Sequence, residues 1–274
     1  MRTIIGLVLI YALVATSAMA QTKETRDVST FTEVSYRVSG KLYLRQGSPQ
    51  KVVLEGDSED IREIETEVKG NRLIIRNPEE NGWFSWRDDS KRRVNVYITM
   101  ENVDALFVSG SGDLYAETPI KTGHLELKVT GSGDMELQAD QTGDLHADVS
   151  GSGNLKVKGK CRDLYSSVSG SGKVYIAHAI AGTAKFSMSG SGKVLAAGKA
   201  QVVKADISGS GKLLAADMET DRCDVRITGS GDVEINVKSE LDARITGSGS
   251  VSYKGSPNHV NSNSSGSGKI RKMG

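Results

Sequence analysis

The chain is poor in several features that would point to a particular class of protein. Its 274 residues include two cysteines, four prolines and 5% aromatic residues, so the composition fits neither a disulfide-rich scaffold nor a proline-rich linker. The formal net charge is +1, and bulk electrostatics therefore predict no nucleic acid partner and favour no anionic membrane. No long apolar run follows the first 20 residues, which predicts no integral membrane segment after signal removal.

The first 20 residues have the three parts of a secretory signal peptide. Arg2 supplies a positive charge, an apolar run covers Ile4–Val14, and Ala18-Met19-Ala20 matches a cleavage site. No cysteine follows that could carry a lipid. We therefore expect residues 1–20 to be removed and the mature protein to be exported, to the periplasm, the cell surface or the medium.

Glycine is abundant because one tripeptide recurs. Gly-Ser-Gly occurs nine times, at intervals of 18 to 21 residues, and accounts for 18 of the 31 glycines. A fixed period of this length is typical of repeat proteins, in which each unit packs mainly on its neighbours. The copies begin at Gly110, Gly131, Gly151, Gly170, Gly190, Gly209, Gly229, Gly247 and Gly266.

Between the triplets, apolar residues alternate with polar ones, which indicates β-strands. Leu125, Leu127 and Val129 show the pattern, and it resumes after each triplet. We predict an all-β fold, a β-solenoid (β-helix) with coils of about 20 residues, two short strands per coil and Gly-Ser-Gly at the turns. The alternative is a meander of antiparallel hairpins.

The region before the triplets has a different character. Residues 21–105 contain no Gly-Ser-Gly and are predicted to form a β-rich N-terminal cap or irregular first coils, followed by the repeat solenoid over residues 106–270. A short helix is predicted over Glu59–Glu65, with Asp57 or Ser58 as its N-cap. Strands are predicted at Val34–Val38, Leu42–Arg45, Val52–Glu55, Arg72–Arg76 and Val94–Thr99.

The heptapeptide Val-Ser-Gly-Ser-Gly-Asp-Leu at Val108–Leu114, preceded by the strand pattern at Val94–Thr99, resembles the bacterial family called "putative auto-transporter adhesin, head GIN domain". Phe31–Gly56 is also similar to that family, and the resemblance covers roughly residues 26–270. It implies a β-superhelix related in shape to pectin-lyase-like folds, with the triplets at tight turns between two sheets. It also implies a secreted or envelope protein with a role in cell adhesion and no identified catalytic residues. Because Ser256–Gly274 is polar and forms no barrel pattern, self-translocation is not expected.

The residue that follows each triplet changes along the chain, from aspartate at Asp113 and Asp134 to lysine in later copies. If the coils stack, Lys173, Lys193 and Lys212 form a basic row on one edge. A solvated rim would explain this row, and contact with an anion or a glycan is the alternative. The spacing fits neither a phosphate-binding loop nor a calcium-binding β-roll, so no cofactor or metal is expected.

A polar segment before the repeats holds both tryptophans of the chain. Aromatic and arginine side chains are common in recognition surfaces, which makes this segment a candidate for ligand contact. The alternative is that it folds back and covers an open edge of the stack. The candidate residues are Trp83, Phe84, Trp86 and Arg87.

The cysteines and histidines give no sign of a catalytic site. Cys161 and Cys223 belong to coils on the order of 14 Å apart, beyond the limit of about 7 Å for a disulfide, so we predict two free thiols, with Cys223 buried. No metal-ligand or triad spacing appears, and surface positions are predicted for His124, His146, His178 and His259.

Together these features predict a non-enzymatic exported adhesion or interaction module of the bacterial cell envelope. Its expected partner is an unidentified glycan or protein at the cell surface, and a homo-oligomer is left open. One alternative is a β-helix carbohydrate-active enzyme, which needs an acid/base cluster that the sequence does not single out. The other is a periplasmic structural or sensory protein with a partner inside the envelope.

Overall fold

The chain winds into a flattened β-solenoid in a computed structural model, which describes residues 22–77, 94–140 and 143–273. Two sheets face each other, and every Gly-Ser-Gly turn leads from sheet 1 into sheet 2. In the repeat region each strand pairs in parallel with the strand one coil later, so that Gly131 lies beside Gly151 and Gly151 beside Gly170. The predicted solenoid is therefore confirmed, and the alternative of an antiparallel meander is wrong.

The strands divide between the sheets as follows. Sheet 1 contains β2 (Glu33–Arg37), β5 (Glu65–Lys69), β6 (Arg72–Arg76), β8 (Ala105–Gly110), β10 (Leu125–Gly131), β12 (Leu145–Gly151), β14 (Leu164–Gly170), β16 (Thr183–Gly190) and β21 (His259–Gly266). Sheet 2 contains β1 (Thr22–Arg26), β3 (Gly40–Gln46), β4 (Lys51–Gly56), β7 (Val94–Met100), β9 (Asp113–Ala116), β11 (Asp134–Asp140), β13 (Asn154–Cys161), β15 (Lys173–Ile180), β20 (Ser250–Lys254) and β22 (Lys269–Lys272). Three long strands start in sheet 2 and continue into sheet 1: β17 (Lys193–Gly209), β18 (Lys212–Gly229) and β19 (Asp232–Gly247).

These long strands correct the predicted strand length. The sequence pattern predicts five or six residues per strand with a break at each of two turns, whereas β18 has 18 residues and passes through the corner opposite the triplets. The backbone stays extended there because β18 still pairs with β17 on both sides of the corner, from Ala197↔Asp217 to Val202↔Arg222.

The core is one continuous hydrophobic cluster between the two sheets, formed by alternate residues of most strands, whereas β21 is exposed along its whole length. Large and small side chains share the space along the stack. Ala147, Ser166, Phe186 and Ala205 follow one another in register, and the Ser166 hydroxyl donates a hydrogen bond of 3.0 Å to the carbonyl oxygen of Ala147. Phe186 is 0% exposed, so its ring fills room that the smaller side chains on the neighbouring rungs leave.

The triplet corners need glycine for two reasons. The first glycine of every triplet has φ between +95° and +123°, a region that residues with a Cβ rarely adopt. Its carbonyl oxygen also accepts a hydrogen bond from the serine N–H of the next triplet, as at Ser210 and Gly190 with a distance of 2.9 Å. A Cβ on Gly190 would lie 2.7 Å from the carbonyl oxygen of Gly170. Glycine is therefore required both by φ and by the close approach of successive coils.

The residues before the repeats extend both sheets. The coil made by β2 and β3 lies between the coil of β6 and β7 and the coil of β8 and β9, with parallel pairing throughout. Beyond it, β4 pairs antiparallel with β7, β1 with β4, and β5 with β6. The predicted helix is present as α1 (Ser58–Glu63), capped by Asp57, and it ends before the predicted Glu65 because Ile64 is already extended and buried.

Both cysteines are free and Cys223 is buried, as predicted, and Cys161 is buried as well. Cys161 is the last residue of β13 in sheet 2, and Cys223 lies on the inner side of the sheet 1 half of β18. Burial raises the pKa of the Cys161 thiol to about 12 and raises that of Cys223 as well. Each therefore serves as a small apolar core residue.

Candidate functional site

The three lysines predicted to form a basic row lie side by side on the outer face of sheet 2. Lys173 pairs with Lys193, and Lys193 with Lys212, on consecutive rungs that are about 4.8 Å apart. We call Lys173, Lys193 and Lys212 the lysine ladder. Asn154 precedes the ladder in the same row and Asp232 follows it.

Only one end of the lysine ladder is neutralised. Lys212 Nζ lies 2.8 Å from Asp232 Oδ2, and this contact raises the pKa of Lys212 and lowers that of Asp232. Ser250 adds a hydrogen bond of 2.7 Å to the other oxygen of Asp232. Among the residues that the structure describes, Lys173 and Lys193 have no salt-bridge partner. Because like charges on adjacent rungs repel, these two lysines form a site that an anion would stabilise.

Apolar side chains form the next outward row of sheet 2. Tyr175, Leu195 and Leu214 occupy three consecutive rungs, each two residues after a lysine of the ladder. Tyr175 is 36% exposed, and the two leucines are half-buried although they lie on the outside of the solenoid. We call these three residues the apolar stripe. Lys156 precedes the stripe on one side, and Glu234 follows it on the other.

A β-bulge gives this face its depth. Leu214 pairs with Leu195 and Asp217 with Ala197, so two residues of β18, Ala215 and Ala216, oppose one residue of β17. The pairing of β18 with β19 is also irregular after Ala215. The bulged backbone bounds a groove of about 480 Å³ whose lining includes the whole apolar stripe. This volume lies within the range of about 300–1,000 Å³ that is typical of small-molecule sites.

The charges around the groove are unevenly distributed. One end carries Lys156 and Lys158, and the other end carries Asp217 and Glu234. Lys156 Nζ lies 2.5 Å from Glu136 Oε1, whereas Lys158 has no salt bridge within the described part of the chain. The groove therefore has a cationic end, an apolar middle and an acidic end, with the lysine ladder along one side.

The other predicted contact residues cannot be placed relative to this groove. Trp83, Phe84, Trp86 and Arg87 fall between β6 and β7, outside the described residues. In the described ranges, no group of three or more histidine, cysteine, aspartate or glutamate side chains could hold a metal ion.

The histidine prediction holds for His124, His146 and His259 and is wrong for His178. The first two lie on the outer face of sheet 1, and the His146 ring stacks on Tyr165 with 4.8 Å between centroids. His178 is 1% exposed and occupies an inward position of β15, two residues after Ile176 and two before Ile180. Period-two alternation through Val174 and Ile176 was the signal that places His178 in the core.

The environment of His178 is unusual for a polar side chain. The residues that pair with His178 on the two neighbouring strands are Gly159 and Gly198, and both have positive φ. Neither ring nitrogen has a hydrogen-bond partner of acceptable geometry among the described residues. Burial lowers the pKa of His178 to about 4, although the nearby carbonyl oxygens of Val157 and Ala139 oppose this effect. The imidazole is therefore neutral at physiological pH and is a cost to the core rather than a ligand.

The apolar stripe itself is the feature that sequence reasoning missed. Tyr175, Leu195 and Leu214 each lie five residues after the first glycine of a triplet, so an alignment of the repeats would place them in one row. Reading each coil alone hides this, because a single outward apolar residue is common on protein surfaces.

Comparison with known proteins gives a family and a fold. The family described as "Putative auto-transporter adhesin, head GIN domain" matches residues 30–197 and 174–257. A "putative lipid binding protein" from Parabacteroides distasonis has a similar structure, with a TM-score of 0.69 and 22% identity over 93% of this chain and 97% of that one. A "putative adhesin" from the same species gives 0.67 and 18% identity over 93% and 98%.

A further "putative adhesin", from Parabacteroides merdae, has a TM-score of 0.64 and 16% identity over 93% of this chain and 96% of that one. No curated protein matches the sequence. At identities this low, the likeness to the solved structures shows a shared fold and leaves the ligand of this chain open.

Proposed function

The chain belongs to the "Putative auto-transporter adhesin, head GIN domain" family, and from this premise we propose that it is a non-enzymatic, exported adhesion module of the bacterial cell envelope. Its contact surface is the outer face of sheet 2, where the lysine ladder borders the groove. The partner is a glycan, lipid or protein component at the cell surface.

The observation that carries this proposal is the alignment of three lysines beside three apolar residues on the same three coils. Outward positions of a solenoid are less constrained than the inner positions and the triplets, which form the core and the contacts between coils. A row of lysines without salt bridges beside an exposed apolar row slightly lowers the stability of the protein and does not help to form the solenoid. Such a surface is typical of a binding site.

Export is supported by the sequence of residues 1–20, which carries the three parts of a signal peptide. In the ranges that the structure describes, no helix has the length and hydrophobicity needed to cross a bilayer. The proposal therefore includes removal of residues 1–20 and a location at the outer surface of the cell, as adhesion requires.

Location can be tested in producing cells with an epitope tag at the C-terminus. Fractionation, the mass of the purified chain and antibody labelling of intact cells are the three measurements. We expect a chain that starts near Gln21 and a tag that is accessible from outside. A chain that keeps residues 1–20 and remains in the cytoplasm would contradict export.

The contact surface can be tested with two charge-reversal variants. Lys173→Glu with Lys193→Glu alters the lysine ladder, and Lys185→Glu with Lys204→Glu alters two adjacent exposed lysines of sheet 1 in neighbouring coils. Both double variants change the net charge equally. Attachment of the purified protein to intact producing cells, measured by flow cytometry, should fall in the first variant and persist in the second. Equal attachment of both would contradict the assigned surface.

A further inference from the structure

We propose that the groove of sheet 2 binds a single-chain anionic amphiphile of the fatty-acid type. The carboxylate lies on the lysine ladder at Lys173 and Lys193, and the alkyl chain runs along the apolar stripe. This inference rests on the proposed function, because it names the ligand of the same contact surface.

The ligand must carry a negative charge because of how the three lysines are paired. Lys212 is already neutralised by Asp232 at 2.8 Å, so it has little to offer an incoming anion. Lys173 and Lys193 occupy adjacent rungs and have no salt bridge within the described residues. A carboxylate between them would accept charge-assisted hydrogen bonds from both ammonium groups and relieve their mutual repulsion.

The ligand must also have an apolar part, because the floor of the groove is apolar. Tyr175, Leu195 and Leu214 form a run across β15, β17 and β18, with Ala177 and Ala197 in the adjoining row. From Tyr175 to Leu214 the stripe spans two rung steps, or about 10 Å, and the charged residues Lys156 and Glu234 bound it. An alkyl chain laid along the stripe buries apolar surface against apolar surface.

Two other occupants fit this floor less well. The hydroxyl groups of a sugar chain over Leu195 and Leu214 would lose hydrogen bonds to water without protein partners. A second copy of the chain, packed on the groove by a two-fold axis along the strands, would bring one lysine ladder against the other.

The acidic end of the groove sets the direction of the ligand. Asp217 and Glu234 line the end beyond Leu214 and repel a carboxylate there. Lys158, which has no salt bridge within the described residues, lines the opposite end and attracts it, whereas Lys156 is paired with Glu136. The headgroup therefore lies on Lys173 and Lys193, and the chain extends toward β18.

The experiment is isothermal titration of the full mature chain with dodecanoate below its micellar concentration. Octanoate and butyrate test the alkyl chain, and dodecyl maltoside below its micellar concentration tests the charge. We expect affinity to rise about twofold per methylene group, as for a half-buried chain, with no measurable binding of butyrate or the uncharged detergent.

Four variants locate the site. Lys173→Glu with Lys193→Glu should weaken dodecanoate binding at least about tenfold, whereas Lys185→Glu with Lys204→Glu should leave it unchanged. Leu195→Asn with Leu214→Asn should weaken binding of dodecanoate and flatten the chain-length series. Tyr165→Asn, at an exposed apolar position of sheet 1, is its control. Circular dichroism melting curves verify that each variant is folded.

Three results would overturn the inference. Equal weakening by both lysine double variants would reveal non-specific attraction, and affinity independent of chain length would exclude the apolar stripe. A dimer that Leu195→Asn with Leu214→Asn dissociates, in a protein that binds no dodecanoate, would identify a second copy as the occupant. The two proposals can fail separately. If the protein binds no dodecanoate but its attachment to cells still depends on Lys173 and Lys193, the amphiphile is wrong and adhesion stands. If the protein binds dodecanoate but attaches to no cell, adhesion is wrong and the amphiphile stands.

Discussion

Protonation of His178 tests the packed interior of the solenoid. The imidazole is enclosed between the two sheets at 1% exposure, and burial lowers its pKa from 6.5 to about 4. The carbonyl oxygens of Val157 and Ala139 and the carboxylate of Asp140 favour the charged form but do not offset burial. The folded chain therefore keeps His178 neutral under conditions in which an unfolded chain would protonate it.

Because proton binding by His178 is linked to folding, its lowered pKa determines how the stability of the protein changes with pH. Between pH 6.5 and about pH 4 the unfolded state binds more protons at this residue than the folded state, so the free energy of unfolding falls as the pH falls through this window. A pKa difference of about 2.5 is worth about 3 kcal/mol. About 1.4 kcal/mol of this is lost near pH 5.5, nearly all of it near pH 4, and almost none above about pH 7.5.

The assay is urea unfolding of the parent and of His178→Leu at about pH 7.5, 5.5 and 4. Other titrating groups contribute equally to both proteins, and any change in packing shifts the variant equally at every pH. The stability of the variant minus that of the parent should therefore rise by about 3 kcal/mol from the highest to the lowest pH. His259→Leu, which removes an exposed histidine on β21, is the control and should show no such rise. A difference between His178→Leu and the parent that stays constant with pH would refute the burial argument.

Two further predictions concern the stack. Gly110 and Gly190 both have positive φ, but a Cβ would have open space at Gly110 and would lie 2.7 Å from a carbonyl oxygen at Gly190. We expect Gly110→Ala to lower the free energy of unfolding by about 2 kcal/mol and Gly190→Ala to lower it by about 4 kcal/mol, measured by urea unfolding. Equal losses of stability would refute the role of close approach between coils. The thiols of Cys161 and Cys223 are buried with raised pKa values, so neither should react with a thiol reagent at neutral pH until the chain is unfolded, and rapid labelling of the native protein at either one would contradict the fold.

The stacking of coils could be predicted from the sequence because two independent patterns agree. The triplets repeat at a nearly constant interval, and apolar residues alternate with period two between them. Only glycine tolerates both the φ and the approach of 2.7 Å at Gly190, so the repeated tripeptide directly records the contact between coils. The parallel register of β10 with β12 is a direct consequence.

The site could be predicted only in part, for a physical reason. The row of Lys173, Lys193 and Lys212 follows from the period alone, because each lysine comes directly after a triplet. The groove depends on the bulge at Ala215 and Ala216, where the inward positions skip from Ala215 to Met218. A turn between two strands gives the same kind of shift in a sequence, so the shift identifies a bulge only when the pairing of β18 with both neighbouring strands is known.

Inward residues, triplet residues and outward residues are under different constraints, and for this reason a binding site is expected on the outward rows. Inward residues are fixed by the core, and the triplets are fixed by the contact between coils, so a change at either position costs stability in every environment. Outward residues carry no such constraint, yet lysine stands on three consecutive rungs with a full apolar row beside it. A solvated rim alone would be better served by alternating charges, as occurs between Lys212 and Asp232. The proposed anion would supply the counter-charge that Lys173 and Lys193 lack within the described residues, and the adjacent apolar stripe would limit which anions fit.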